Sequence, residues 1–272
     1  MSQFQLFVLS DFEKWLNVQA VSRLIKLVQN HHTYIPDYSH FHETNHLALQ
    51  QSMERSHLER GFTSIAQHFT IFPDGKILTG RTLNAVPAGI KGANANGICL
   101  EHLGNFDLPE PNMNPAQKET ILKMNALLVH KFGLEPTENS IVYHRWYDLS
   151  SGKEIPEGQT GMTKSCPGAH FFGGNTRSAF NQNFLPLVKE EVSKLKDPLR
   201  KSAEFEAVGI VTARTLNVRL SSSASSSILT TLSIGTPVRI FEEMEGWYAI
   251  NHSRSRWVKK EFIEKVNKFL KN

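Results

Sequence analysis

Near Lys201 the chain changes character, and this change limits its architecture more tightly than any single motif. Before it, apolar runs of strand length alternate with segments of helical length. Beyond it come short β-like pieces parted by turn residues: Gly209-Ile210-Val211-Thr212, Leu216-Asn217-Val218-Arg219-Leu220, Ile228 to Leu232, Gly235 to Phe241, Gly246 to Ile250 and Arg256-Trp257-Val258. That spacing predicts a small β-barrel. The serine-rich stretch at 221–227 is short enough to be one of its loops. The expected organisation is a first domain at 1–200, a linker at 201–207 and a second domain at 208–267. A chain of 272 residues is long enough for one medium and one small domain.

Composition narrows the class. Apolar residues make up 40% and charged residues 21%, with 17 phenylalanines to feed a core, which excludes disorder. No apolar run approaches the roughly 20 residues of a membrane span. The stretch Met1 to Asp11 has no basic n-region, so no secretory signal is expected. Action outside the producing cell would then follow lysis or a dedicated export route. Cys99 and Cys166 make no disulfide framework, and reduced thiols are expected. The net charge of +4 is uneven: from Val208 to Asn272 there are ten Lys/Arg against five Asp/Glu, leaving the first 207 residues at minus one. An anionic surface as partner of that end fits this excess, and so do a few solvated lysines. No nucleic-acid partner is expected, and the chain is expected to be a monomer.

Within the first 200 residues, Arg23 to Val28 reads as a strand that delivers His31 at its carboxyl end. His46 to Arg60 reads as a helix stopped by Gly61. Ser64 to Phe72 and Lys76 to Arg81 flank Asp74-Gly75, a hairpin signal. Pro87 to Asn96 is loop. Gly97 to Gly104 reads as a central strand whose period of two puts Cys99, Glu101 and Leu103 on one face. Asn114 caps and Pro115 opens the clearest helix, with Ile121, Leu122, Met124, Leu127, Leu128 and Phe132 as its buried stripe and Gly133 as its end. Ile141 to Tyr143 is a short strand ending in His144. A long polar loop without structure of its own then runs to Cys166, a length that is often functional. Phe184 to Leu199 reads as the last helix.

Two histidines and a cysteine, His31, His144 and Cys166, satisfy the ligand count of a catalytic zinc, which keeps three protein ligands and one open position. Amide hydrolysis at such a metal also needs a base, for which Glu101 is available, and a cation for the oxyanion, for which Lys164 is available. Plainer readings stand beside this one. The chain has twelve histidines, and the separations of 113 and 22 residues match no short metal motif. Cys166 before Pro167-Gly168 reads equally as a loop cysteine, Cys99 as a small buried hydrophobe, and His68 and His102 as structural. Glu101 is harder to read that way, because an unpaired carboxylate in a central strand costs on the order of several kcal/mol.

Five stretches occur in a telling order: His31-His32-Thr33 after a strand; Gln67 to Ile77 with Gly80-Arg81; Gly97-Ile98-Cys99-Leu100-Glu101 leading to Gly104-Asn105-Phe106; Tyr143-His144; and Lys164-Ser165-Cys166-Pro167-Gly168. Over roughly residues 20 to 190 the chain resembles the zinc-dependent N-acetylmuramoyl-L-alanine amidases, the type related to phage amidase endolysins and to peptidoglycan recognition proteins. The resemblance implies an α/β domain with a central mixed sheet flanked by helices. It implies zinc on His31, His144 and Cys166, with Lys164 assisting hydrolysis of the amide between N-acetylmuramic acid and L-alanine in peptidoglycan. The chain departs from the pattern at two places, the position of the base and the long segment between His144 and Cys166. Gln67 stands where many members carry a catalytic tyrosine, and its amide is left to donate to the oxyanion. The usual glutamate of the Gly-Ile strand falls at Cys99, so Glu101, two residues on, is taken as the base. His32, Thr33, Arg81, Asn94 and Asn96 are the candidates for substrate binding, and the 145–165 segment is expected to wall the groove. The second domain resembles a bacterial SH3-like barrel through Leu216-Asn217-Val218-Arg219, Gly235-Thr236-Pro237-Val238, Gly246-Trp247-Tyr248 and Trp257-Val258. That resemblance implies cell-wall binding, with Trp247 and Tyr248 as candidate contacts or else barrel core, and Trp257 as core. Two other readings stay open: a peptidoglycan sensor without catalysis, and a Cys166–His144 nucleophilic hydrolase.

Overall fold

The structure, a computed structural model, describes residues 4–108, 113–195, 207–251 and 254–266. The chain divides into two units, Met1–Leu195 and Lys196–Asn272. In the first, β1 (Leu6–Phe7), β2 (Leu27–His32), β3 (Phe69–Ile71), β4 (Ile77–Thr79), β5 (Gly97–His102) and β6 (Ile141–Tyr143) form a mixed sheet in the order β1-β4-β3-β5-β2-β6. The run β3-β5-β2-β6 is parallel; β4 is antiparallel to β3, and β1 to β4. β5 is paired on both sides, as its apolar sequence demands.

β2 starts four residues later than the sequence suggests. The Arg23 guanidinium donates to the carbonyls of Leu83 and Gly97 at 2.6 and 2.7 Å, and Lys26 N–H donates to Asn96 O. These bonds make residues 23–26 a clasp at the amino end of the sheet, and the ladder begins at Leu27. The β3–β4 hairpin turns at Gly75 with φ +80°, where a Cβ would lie 2.9 Å from Ala116 O and Thr120 Oγ1. Glycine is therefore required there twice over, by conformation and by space.

Among the described residues five α-helices accompany this sheet: α1 (Leu9–Val18), α2 (His46–Glu59), α3 (Pro115–Lys131), α4 (Arg177–Ala179) and α5 (Leu185–Lys194). A π turn, Phe180–Phe184, joins the last two. Asn114 caps α3 by accepting from Ala116 N–H at 3.0 Å. The last helical stretch begins at Arg177 rather than Phe184, because Thr176 Oγ1 accepts from Ala179 N–H and supplies the cap. Its expected continuation to Leu199 lies outside the described residues. α1 was not evident from sequence: Val8 precedes it with no side-chain cap, and Phe12 and Leu16 hold it by burial.

Successive strand residues face opposite sides, which separates a packing face from a chemical face. Phe69 meets Phe12 edge-on at 5.0 Å. Asn30 exchanges amide hydrogen bonds with Asn125 of α3, and its Oδ1 also lies 2.9 Å from His102 Nε2. α1 and α3 thus cover one face. Thr70 points the other way and donates to Gln50 of α2 at 2.7 Å. Gln29, His31 and Glu101 leave the sheet on this second face. Phe171, Phe180, Phe184 and Tyr143 are fully buried beside Trp146. At about 1.5–3 kcal/mol per buried aromatic, this cluster anchors the chain on both sides of Cys166.

The second unit has two antiparallel sheets. Its strands are β7 (Ala207–Val211), β8 (Thr215–Arg219), β9 (Ile228–Ser233), β10 (Pro237–Ile240), β11 (Glu242–Met244), β12 (Trp247–Ala249), β13 (Trp257–Lys259) and β14 (Ile263–Val266). They run in the orders β10-β7-β14 and β11-β12-β13-β8-β9. β11 and β14 were not read from sequence. Trp247 and Tyr248, candidate wall contacts, are only 5% and 2% exposed. Tyr248 packs among Val211, Val218, Ile240 and Val258, and Trp247 clusters with Ala249 and Trp257. Tyr248 is thus barrel interior, while Trp247, the residue before it on the strand, is buried on the opposite face of β12. No helix among the described residues is long and apolar enough to cross a membrane.

Candidate metal centre

Parallel neighbours bring their carboxyl ends together, and here three strands do so. Register pairs His31 with Glu101 on β5 and Asn30 with Tyr143 on β6, so His144, the next residue, falls beside His31. Cys166 is brought in by the returning segment, where Arg145 N–H donates to Cys166 O at 2.8 Å. The ligating atoms of His31, His144 and Cys166 all lie within 4.8 Å of one another, and all three residues are buried. His31 Nδ1 is 3.5 Å from Cys166 Sγ, and the two imidazole rings stand 4.9 Å apart at 69°. Zinc bonds of about 2.0–2.1 Å to nitrogen and 2.3 Å to sulfur, opened to a tetrahedral angle, give an N–S edge of about 3.5 Å. The residues present therefore fit a zinc ion in donor type and in spacing.

Electrostatics agree with that fit. Burial, with the charges of His144 and Lys164, holds His31 well below the usual histidine range, and burial with Lys164 brings His144 down to about 4. Both imidazoles are then neutral at pH 7 and present lone pairs. Burial, with the Glu101 charge, pushes the Cys166 thiol well up, a penalty that a cation among these donors removes. Burial pushes Glu101 up to about 8, while Lys164 and Arg60 pull it back. Lys164 is exposed, yet its charge reaches His31, His144 and Glu101.

Several residues expected at this site have other tasks. Gln67 is buried; its amide nitrogen donates to Thr70 Oγ1 at 2.9 Å, and its Oε1 has no partner. An orphan acceptor is the wrong polarity for an oxyanion. His32 Nδ1 accepts from Phe106 N–H, and Thr33 Oγ1 donates to Pro36 O and accepts from Gly104 N–H, so both fasten the 104–107 turn. The Arg81 guanidinium is spent on the carbonyls of Ile65, Val86 and Ser64. Asn94 Oδ1 accepts from Gly89 and Ile90 N–H inside its own loop. Asn96 precedes β5 and bonds the residues that precede β2, which puts it at the opposite end of the sheet from His31. Loops that look adjacent to a motif in sequence attach here to the amino ends of the strands.

Other residues at the site gave little signal in sequence. Asp107 holds the turn around Cys166 from both sides, accepting from Ser165 Oγ at 2.5 Å and Ala169 N–H at 2.8 Å. Asn175 O accepts from Trp146 Nε1–H, and its amide donates to Ser165 O. An Asp directly after Gly104-Asn105-Phe106 was the only available hint. The 145–165 segment is ordered, contrary to the expectation of a structureless loop: Asp148 accepts from the N–H groups of Ser150, Ser151 and Met162, and Tyr147 bridges Glu154. Between this segment and α4 lies a cavity of about 390 Å³ lined by Arg145, Trp146, Ile155, Gln159, Thr163 and Arg177.

Comparison with known proteins follows the same division of the chain. Residues 21–169, more than half of it, match the family N-acetylmuramoyl-L-alanine amidase, and residues 214–264 match the bacterial SH3 domain. The endolysin of Klebsiella phage KP32 is 37% identical over 70 residues, 24% of this chain and 45% of that protein. The endolysin of Escherichia phage T7 is 34% identical over 82 residues, 28% of this chain and 52% of that protein. The chain thus spans about half the length of the curated relatives it matches. Among solved structures, the N-acetylmuramoyl-L-alanine amidase LysC from Clostridium intestinale is 22% identical, with 60% of this chain and 89% of that one covered and a TM-score of 0.41.

Proposed function

Because the chain belongs to the N-acetylmuramoyl-L-alanine amidase family, we propose that it hydrolyses the amide between N-acetylmuramic acid and the L-alanine of the peptidoglycan stem, with zinc held by His31, His144 and Cys166. The observation that carries this reading is the meeting of two neutral imidazoles and a buried thiol at the carboxyl ends of β2 and β6, with Glu101 beside them on β5. Bound zinc supplies Lewis acidity toward a carbonyl oxygen and toward water.

The side chains do the rest. Glu101, in register with His31, is placed to take a proton from the attacking water and to pass it to the leaving amine. Its raised pKa suits both halves of that task, since a group near the working pH accepts and returns protons with little cost. The Lys164 ammonium, whose charge reaches the same groups, stabilises the tetrahedral oxyanion. The amide nitrogen of Gln67 is engaged by Thr70 and takes no part. Asp107 and Asn175 keep the Cys166 turn in place through Ser165. The 145–163 segment forms one wall of the substrate groove, and the second unit attaches the enzyme to the wall by a surface other than Trp247 and Tyr248.

The test is clearance of purified peptidoglycan by wild type, Glu101→Gln and Cys166→Ser, with zinc content measured on each. Glu101→Gln should keep zinc and lose about 10²–10⁴-fold in rate, whereas Cys166→Ser should lose zinc and activity together. Near-full clearance by Glu101→Gln would refute the base assignment.

A further inference from the structure

We propose that Gln29 and Asn94 form a hydrogen-bond relay that fixes the proton of His31 on Nε2 and so presents its Nδ1 lone pair to the metal. This rests on the zinc reading above and concerns residues to which no role has been assigned there. Gln29 lies two residues before His31 on the same face of β2 and is fully buried.

The relay starts from groups whose polarity is certain. The backbone N–H groups of Gly89 and Ile90 donate to the Asn94 side chain at 3.0 and 2.8 Å, so the atom facing them is Oδ1. One end of the Gln29 amide lies 3.1 Å from Ala93 O and 3.4 Å from that Asn94 Oδ1. Two acceptors require a donor, so this end is the NH₂ group and the other end is Oε1. Oε1 sits 3.4 Å from His31 Nε2. An amide oxygen only accepts, so Nε2 must carry the hydrogen. A neutral imidazole with its proton on Nε2 has its lone pair on Nδ1, the nitrogen that lies 3.5 Å from Cys166 Sγ. Flipping the Gln29 amide would set acceptor against acceptor at Ala93 O and Asn94 Oδ1, and flipping Asn94 would set donor against donor at Gly89 and Ile90 N–H.

Gly89 shows how tightly the loop closes over this relay. A Cβ built there would lie 2.3 Å from Gln29 Oε1, 2.8 Å from Cys99 Sγ and 2.9 Å from His31 Nε2. Only glycine lets the loop pass near enough for Asn94 to reach Gln29. Gln29 is thus a positioning residue acting through His31, and Asn94, expected from sequence to touch substrate, acts one step further back. Partners of this kind, on the far nitrogen of a ligating histidine, typically account for about 10–100-fold in metal affinity.

Two measurements on the full chain test this. Zinc affinity is read by competition with a fluorescent chelator for wild type, Gln29→Met and Asn94→Ala. Gln29→Met, which keeps the volume and removes the acceptor, should weaken zinc about 10–100-fold, and Asn94→Ala should weaken it in the same direction. Long-range ¹H–¹⁵N correlation on the metal-free protein should show His31 as the Nε2–H tautomer in wild type and as a mixture in Gln29→Met. A merely structural role would lower the melting temperature, leave zinc affinity within about threefold of wild type and leave the tautomer unchanged; that outcome overturns the relay. If wild type itself takes up no zinc, the metal-centre reading fails, while the tautomer spectrum still decides the relay.

Discussion

Two buried histidines that take no part in the proposed chemistry should make this protein sensitive to mild acid. His68 Nδ1 accepts from Cys99 N–H at 2.9 Å, and its Nε2 lies 3.0 Å from Ala85 O. His102 Nε2 lies 2.9 Å from Asn30 Oδ1, while its Nδ1 is buried without a partner. Protonating either ring sets a new N–H against another donor or against apolar core. Burial therefore holds both at about 3, against roughly 6.5 in an unfolded chain. Between those values the unfolded state binds more protons, so stability is lost as pH falls below about 6.5. From pH 7 to pH 5 the loss is about 2 kcal/mol per histidine, or about 4 kcal/mol for the pair. The assay is urea denaturation at pH 7, 6 and 5 for wild type and His68→Gln, a side chain able to serve both bonds. Because His31, His32, His57 and His144 are held down as well, the diagnostic quantity is the difference between the two proteins. It should shift by about 2 kcal/mol in favour of the variant on going from pH 7 to pH 5. A difference that does not change with pH would refute the reasoning.

Further outcomes follow from single side chains. Asp107→Ala removes its two bonds to the Cys166 turn, and should lower stability by about 1–3 kcal/mol while weakening zinc binding measured by chelator competition. Lys164→Met should leave zinc content unchanged and lower kcat by about 10²–10³-fold, as expected for loss of one oxyanion partner, read on purified muropeptides. Trp247→Ala should destabilise the second unit by about 3–5 kcal/mol, seen as early loss of its melting transition, because the ring is buried against Ala249 and Trp257.

The parts of the fold that were legible in sequence are those in which local chemistry and burial agree. Asn114-Pro115 and Gly133 bracket α3 because cap, first-turn proline and C-terminal glycine are each read within a few residues. The hairpin at Asp74-Gly75 and the central strand at Gly97 declare themselves in the same way. What escaped was set by distant partners. Arg23 to Lys26 has strand-like residues, yet long-range carbonyls of Leu83, Asn96 and Gly97 claim it. α1 has no cap and is recruited by Phe69. At the site, the three candidate ligands share no short spacing, and it is parallel register that brings His31 and His144 side by side. The residues guessed to bind substrate have other partners in the fold, because proximity in sequence to a motif tells neither which end of a strand a loop joins nor whether a polar side chain is already satisfied. Gln29 and Asp107 were missed because their roles lie in bonds to residues on other elements.

The central claim is that the buried His31–His144–Cys166 triad serves amide hydrolysis on the stem of peptidoglycan. The most direct test is product analysis: purified peptidoglycan is digested by the zinc-loaded full chain, and new termini are identified by amino-terminal labelling and mass spectrometry. The account predicts free stem peptides beginning with alanine and no new reducing sugars, with release abolished by a chelator and restored by zinc. Release that persists undiminished without metal, or zinc-loaded protein that binds the sacculi and frees no alanine amino terminus, would contradict it.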